Sequence, residues 1–309
     1  MIGAIELGLL YAMMALGVYL TFRILEFADL TVDGSFTTGA AIAAVAIVGG
    51  VNPWLAVLFA FLGGMVAGTV TGLLNTKGNI DGLLAGILTQ IGLYSINLRI
   101  MGTANISLLR EPTLMSGLKD AELLGTWWAV GIFLFLALFV LAAVIWFLHT
   151  NVGLAMRATG DNPEMISSFG ASIDGMKILG LALSNGMVAV SGALVAQYQG
   201  YADIGMGIGM IVAGLASVII GQAIFGRLTI LRAATAVVVG AVLYRLVIYA
   251  ALLVGLDPND MKLVSAVIVV LALLIPQIKL FKRVPKRFRS ATEVEVRDSA
   301  TVGSIEREA

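Results

Sequence analysis

Cysteine is missing from the 309 residues, and histidine occurs once, as His149. The first absence excludes disulfides, thiolate metal sites and cysteine nucleophiles. The second excludes a histidine-based metal cluster within one chain. Charge is also scarce: Asp, Glu, Lys and Arg make up 12% of the residues, about half the density of a soluble globular protein. With 59% hydrophobic residues and a mean hydropathy of +0.99, there is too little polar surface to cover one large soluble core. The composition is that of a membrane protein. No G-x-x-x-x-G-K-[ST] run occurs, so the chain has no phosphate-binding loop of its own. A catalytic triad, a carboxylate dyad and a metal motif are equally absent. The sequence therefore predicts no catalytic residue, no metal site, no enzyme activity and no nucleic-acid partner.

What is present is apolar sequence in lengths that match a bilayer. A helix needs about 20 apolar residues to cross the hydrocarbon core. Runs of this kind fall at 2–22, 36–51, 54–74, 83–101, 127–148, 177–198, 208–226, 233–254 and 261–281. The chain is apolar from Ile2, without the basic flank of a signal peptide, so the first run is expected to be a retained span. Two runs are irregular. The second is reached through Asp29, Thr31, Asp33 and Gly34, and the seventh is spaced by Gly205, Gly207, Gly209 and Gly214. Polar or glycine-broken backbone at membrane depth survives only against protein or a water-filled cavity, so both are expected to be broken or re-entrant helices.

The basic stretch "KLFKRVPKRFR" after the last run places the C-terminus in the cytoplasm by the positive-inside rule. Arg23, Lys77, Arg157, Arg227 and Arg232 then share that side, and the N-terminus lies outside. The expected fold is an all-α polytopic membrane protein of about eight to ten spans, nine on this count. A transmembrane domain covers 1–281, and a charged cytoplasmic tail at 282–309 is expected to be disordered.

The chain also echoes itself. "GLLYAMMALGVYLTFRILEFADLTVDGS" (8–35) and "GLALSNGMVAVSGALVAQYQGYADIGMG" (180–207) each run as an apolar helix into aromatic–Ala–Asp. These triplets are Phe27-Ala28-Asp29 and Tyr201-Ala202-Asp203, and a glycine-broken apolar segment follows both. Duplicated halves with interruptions in matching places point to a substrate path between them.

Between the halves lies a polar interruption, "TNVGLAMRATGDNPEMISSFGASIDGMK" (150–177), within a loop at 149–176. Asn162 suits an N-cap, and Pro163 the first helical position, where its missing N–H costs nothing. Glu164 sits well at the positive end of the helix dipole. Met165, Ile166, Phe169 and Ile173 fall at helical spacing as a narrow apolar stripe. Gly170 can end the helix, and Asp174-Gly175 can turn the chain into the next span. An apolar stripe on a surface helix must bury itself in lipid or in a partner's groove. The lack of Lys and Trp favours a protein partner.

The pattern T-x-x-G-x-x-M-R-A-x-G-x-N-P from Thr150 to Pro163, followed by a Gly/Ala/Ser-rich span, resembles the permease subunits of ABC importers of the branched-chain amino acid and ribose type. Ala28 to Ser35 is similar to the D-L-S-V-G-S motif of the sugar-type members, with Thr31 in place of the serine and Asp33 in place of a small residue. These departures count against sugar. The resemblance covers most of 1–280 and is nearest to a subgroup that accompanies binding proteins for amino acids, aromatic ones included. It implies that the polar loop is a coupling helix docking in a cleft of a cytoplasmic ATPase. Gly153, Arg157, Gly160, Asp161, Asn162, Pro163 and Glu164 carry that role, with Ile166 and Phe169 from the apolar stripe. It further implies a second permease copy, with a homodimer expected, and an extracytoplasmic binding protein. The setting would be the bacterial cytoplasmic membrane. No cofactor is expected in this chain; ATP and Mg would be bound by the ATPase.

Residues of the path stay open between two readings. Asp29 and Asp33 either line the path or cap the broken helix, with Arg23 as counter-ion, and Thr31, Ser35 and Asp203 are further candidates for the path. Arg245, near mid-span, either meets a substrate carboxylate or pairs with an interior acid such as Asp203. Gln90, Asn97, Asn185, Gln197 and Gln222 are in-membrane amides, either path-lining or interhelical hydrogen-bond partners. Gly63-Gly64-x-x-x-Gly68 and Gly82-x-x-x-Gly86 permit close helix contact. The competing function is an ion-gradient-driven transporter using Asp29, Asp33 or Asp203, which would leave the polar loop unexplained.

Overall fold

The computed structural model describes residues 1–255 apart from Ala171 and Arg227, together with Asp260, residues 263–270 and Leu274. Helix α1 (Ile2–Tyr19) continues into a π-helical turn, Leu20–Ile24, and α2 (Thr31–Val48), α3 (Pro53–Thr76) and α4 (Gly82–Met101) follow. An outer excursion holds β1 (Asn105–Ser107) and the short α5 (Ser116–Asp120). Then come α6 (Trp127–His149), α7 (Asn151–Asp161), α8 (Pro163–Ser168), α9 (Ile173–Gln199), β2 (Tyr201–Asp203), α10 (Met210–Phe225) and α11 (Ile230–Leu253).

Among the described residues seven helices are long and apolar enough to cross a membrane, and Met210–Phe225 is a shorter apolar helix. The run expected at 261–281 falls mostly outside the described residues, as does the boundary at 281. Lys77 and Asp174, at the ends of α3 and α9 on the expected inner side, form an exposed ion pair at 3.0 Å.

Burial sorts the helices into two sets. In α1, α2 and α9, 72–78% of the apolar window is buried, against 22–39% in α3, α4, α6 and α11. The first three form the centre and the others present outward faces such as Trp54, Leu58, Ile91 and Phe135. The centre is dense because backbones touch. A Cβ on Gly39 would overlap the Ala189 carbonyl, one on Gly192 the Phe36 carbonyl, and one on Gly68 the Leu181 carbonyl. The expected role of the small-residue runs is met: Gly64 and Gly68 seat α3 on α9, while Gly82 and Gly86 lie against Phe27 and Leu30. Hydroxyls add ties at the same contacts: Ser184 Oγ donates to Gly17 O at 2.7 Å, and Ser191 Oγ to Leu10 O at 2.8 Å. At the outer end, fully buried Glu6 accepts from Tyr198 Oη at 2.6 Å and Gly125 N at 2.9 Å. This pins the excursion before α6 to the centre.

Two expectations about boundaries need correcting. Thr31, Asp33 and Ser35 are helical, and the break lies before them, at 25–30. The helix starts earlier than the apolar pattern suggested, with Leu30 at the N-cap position and Asp29 Oδ1 accepting from Thr31 N at 2.9 Å just ahead of it. At the far end of the polar loop, Asp174-Gly175 is not a turn but the first turn of α9. Ser172 Oγ caps it by accepting from Gly175 N at 3.1 Å. Ile173 therefore belongs to α9 and leaves the apolar stripe.

Candidate substrate path and coupling face

The two halves of the internal echo meet. After α9, the chain makes β2, which pairs antiparallel with β1 (Asn105↔Asp203, Ile106↔Ala202, Ser107↔Tyr201), and then turns through 204–209 into α10. The start of α10 is capped from the other half. Asp33 Oδ2 accepts from Gly209 N and Oδ1 from Ile211 N, both at 2.8 Å. Thr37 Oγ1 accepts from Gly207 N at 3.1 Å. The expected capping by Asp33 thus exists, but it serves α10 rather than its own helix. Replacing Asp33 with Ala removes a carboxylate cap and should cost about 2 kcal/mol. Hydrogen exchange should then rise at the amides of 207–213, and unchanged protection there would refute the capping role.

Asp29 is buried and held by Asn185 Nδ2, which donates to its Oδ2 at 2.6 Å. Burial pushes its carboxyl above the usual carboxylate range, with the hydrogen bonds from Thr31 and Asn185 opposing the shift. Arg23 is not its counter-ion: Arg23 Nε donates to Gln222 Oε1 at 3.1 Å. Thr31 Oγ1 shares a hydrogen bond of 2.7 Å with Thr71 Oγ1, and Ser35 is buried within α2.

A cavity of about 360 Å³ opens beside this junction, lined by Asp33, Gly34, Thr37, Gln90, Tyr94 and Asn97, with Ile204 and Ile208 from the turn before α10. Of the residues singled out from sequence, it gathers Asp33, Gln90 and Asn97. Asn97 Nδ2 donates to Gly34 O at 3.3 Å. Asp29, Thr31 and Asn185 sit behind the wall as structural partners, Ser35 is buried within α2, and Gln222 lies at the Arg23 end. Thr37 and Tyr94 were missed; each lies four residues beyond a noted polar residue, Asp33 and Gln90, and so on the same helix face.

Arg245 does not pair with Asp203. Asp203 accepts from Gly205 N at 2.8 Å and Asn105 Nδ2 at 3.3 Å, stabilising the turn after β2. The Arg245 guanidinium instead lies 3.9 Å above the Tyr11 ring, itself stacked on Phe36 at 5.8 Å. It lines a second cavity of about 380 Å³ with Ile208, Met210, Tyr244 and Ser265. Gln197 Oε1 accepts from Leu114 N at 3.0 Å and holds the outer excursion.

The polar loop is two helices rather than one. Thr150 Oγ1 caps α7 by accepting from Gly153 N at 3.2 Å, and Asn162 Oδ1 caps α8 by accepting from Met165 N at 3.0 Å. The faces differ in purpose. Met156 is buried, and a Cβ on Gly153 or Gly160 would overlap the carbonyl of Phe147 or Ile24, so α7 is welded to the permease body. Arg157 is half-buried on that side. Asp161, Asn162, Pro163 and Glu164 are exposed, Ile166 is half-buried, and Phe169 is 79% exposed beside Met165.

A polytopic helical bundle with two chain breaks meeting beside an open cavity, and a capped helix standing outside it, defines a membrane transport protein. The chain matches the family described as the branched-chain amino acid transport system / permease component over residues 1–275, and it belongs to that family. It is 43% identical over 263 residues to a tyrosine transport system permease protein of Clostridioides difficile, covering 85% of this chain and 86% of that one. It is 36% identical over 277 residues to a Rickettsia prowazekii protein described as uncharacterized, covering 88% and 96%. An autoinducer 2 import system permease of Yersinia pseudotuberculosis is 28% identical over 165 residues, covering 53% and 45%. Among solved structures, an inward-facing ABC transporter of metal-chelate type aligns with a TM-score of 0.51 at 14% identity, over 91% of this chain and 85% of that chain, a likeness of fold.

Proposed function

We propose that this permease imports an amino acid, aromatic or branched-chain, as the membrane subunit of an ATP-driven complex. The observation that carries the reading is α8: a capped, exposed helix with Phe169 standing 79% clear of the protein. An aromatic anchor of this kind has no use in water and serves a groove on a partner. The partner is a cytoplasmic ATPase that binds ATP and Mg; α7, fixed to the body through Gly153 and Gly160, transmits its movement as a rigid lever. A second copy of the permease completes the path, and an extracytoplasmic binding protein delivers the substrate. The complex resides in the bacterial cytoplasmic membrane with the C-terminus inside. The relative named for tyrosine transport supports the amino-acid class, and the cavity of about 360 Å³ at Asp33, Gln90 and Asn97 is large enough for one.

The test is reconstitution in vesicles with the ATPase and binding protein taken from the same source. Uptake of labelled tyrosine or leucine should need ATP and survive collapse of the proton gradient. Uptake that persists without ATP and stops with the gradient would overturn the reading.

A further inference from the structure

A third cavity, polar and of about 480 Å³, lies between the π-helical turn, the end of α6, α7 and the start of α11. Tyr19, Arg23, His149, Arg157, Asp161 and Thr229 line it. Among the described residues its charge is unbalanced. Arg157 is half-buried yet makes no hydrogen bond or ion pair to any described residue. Arg23 engages Gln222 through Nε alone, which leaves its two Nη groups without a partner among the described residues. The one carboxylate in the lining, Asp161, is exposed and pairs with neither arginine; among the described residues the only ion pair is Lys77–Asp174. His149 Nδ1 is already committed to Ile145 O at 2.7 Å. A half-buried guanidinium with Tyr19 rather than an anion as its electrostatic neighbour is costly, and it is the group best matched to phosphate, which it grips with two parallel bonds. The 24-residue α11 turns its positive end towards the same space.

We propose that this cavity binds a phosphate-bearing anion between Arg23 and Arg157. Three apolar helices end around it, at Arg23, His149 and Thr229, so it lies at the bilayer boundary, at the depth of phospholipid headgroups. Both a headgroup phosphate and a dissolved phosphate can reach it. The bound anion joins α7 to α1 and α11, bracing α7 against the body where α8 projects from it. The inference does not depend on the transport reading.

The test uses the full-length permease, delipidated in a neutral detergent. Binding of inorganic phosphate and of short-chain phosphatidylglycerol is followed by thermal shift and isothermal titration. At least one should bind, and Arg157→Gln or Arg23→Gln should weaken it about tenfold. Binding of phosphatidylglycerol alone identifies a lipid headgroup, and comparable binding of inorganic phosphate identifies a dissolved anion. Asp161→Asn, an exposed change that leaves the fold intact, should tighten binding several-fold by removing the repelling carboxylate. It keeps the test decisive if an arginine variant misfolds. The proposal is overturned if neither ligand binds, or if binding is unchanged in Asp161→Asn and in every arginine variant that folds.

Discussion

Phe169→Glu is expected to separate ATP hydrolysis from uptake. The side chain is 79% exposed in the free permease, so the change should alter stability by no more than about 0.5 kcal/mol. Burial of such a ring in a partner's groove is worth about 2–4 kcal/mol as an interface anchor, and a charge forced into that groove loses all of it. Affinity for the ATPase should therefore fall about 30-fold or more. Uptake in vesicles should drop with it, while the ATPase keeps its unstimulated turnover. Asn162→Ala should act in the same direction more weakly, because it removes the Met165 N bond that starts α8, worth about 1 kcal/mol. The measurement is co-purification of the ATPase together with ATP-driven uptake. Full assembly and coupling in Phe169→Glu would mean that the partner grips somewhere other than α8.

Gly39→Leu should be the most damaging single change in the transmembrane body, and Gly92→Leu should be harmless. Both glycines lie inside long helices, α2 and α4. At Gly39 an added Cβ meets the Ala189 backbone, whereas at Gly92 nothing stands within 4 Å. Backbone cannot swing aside as a side chain can, so α2 and α9 would have to separate, at about 3 kcal/mol or more. At Gly92 the substitution gains helix propensity of about 0.8 kcal/mol and faces outward. Thermal denaturation in detergent should show Gly39→Leu melting well below wild type, or failing to accumulate, with Gly92→Leu at or slightly above it. Equal melting of the two variants would refute the backbone contact between α2 and α9.

The glycine contrast also shows where sequence reasoning reaches its limit. Spacing picked out Gly64 and Gly68 as contact positions, because a four-residue repeat of small residues forms one face of a helix. Gly39 and Gly192 have no second glycine four residues away, and the backbone they touch lies about 150 residues away in the chain. The spans were legible because apolar length is a local property. The meeting of the two breaks was half legible: the echo of 8–35 in 180–207 marked both sites. Nothing local could tell that Asp33, in the helix after one break, would cap the helix that begins after the other. In the polar loop the signals for α8 were all local, an Asn cap, a proline and an acid. Helix α7 was passed over because its stripe is thin and its reason for being helical is contact: Gly153 and Gly160 fit against carbonyls of other segments. Arg157 was grouped with the docking residues by its place in a motif, and the fold turns it to the opposite side.

The wide turn at Leu20–Ile24 sets the angular phase of everything that follows it. A π-helical turn holds one residue more than an α-helical one, and each residue advances a helix by about 100°. Arg23 reaches Gln222 from within the turn, and the chain beyond Ile24 leaves the helix about a quarter-turn away from where a regular α1 would have aimed it, towards the contact of Asp29 with Asn185. Loss of one residue at 20–24 would allow an ordinary helix and yet put both contacts out of phase. The reading frame of this fold is kept in the five residues that close its first helix.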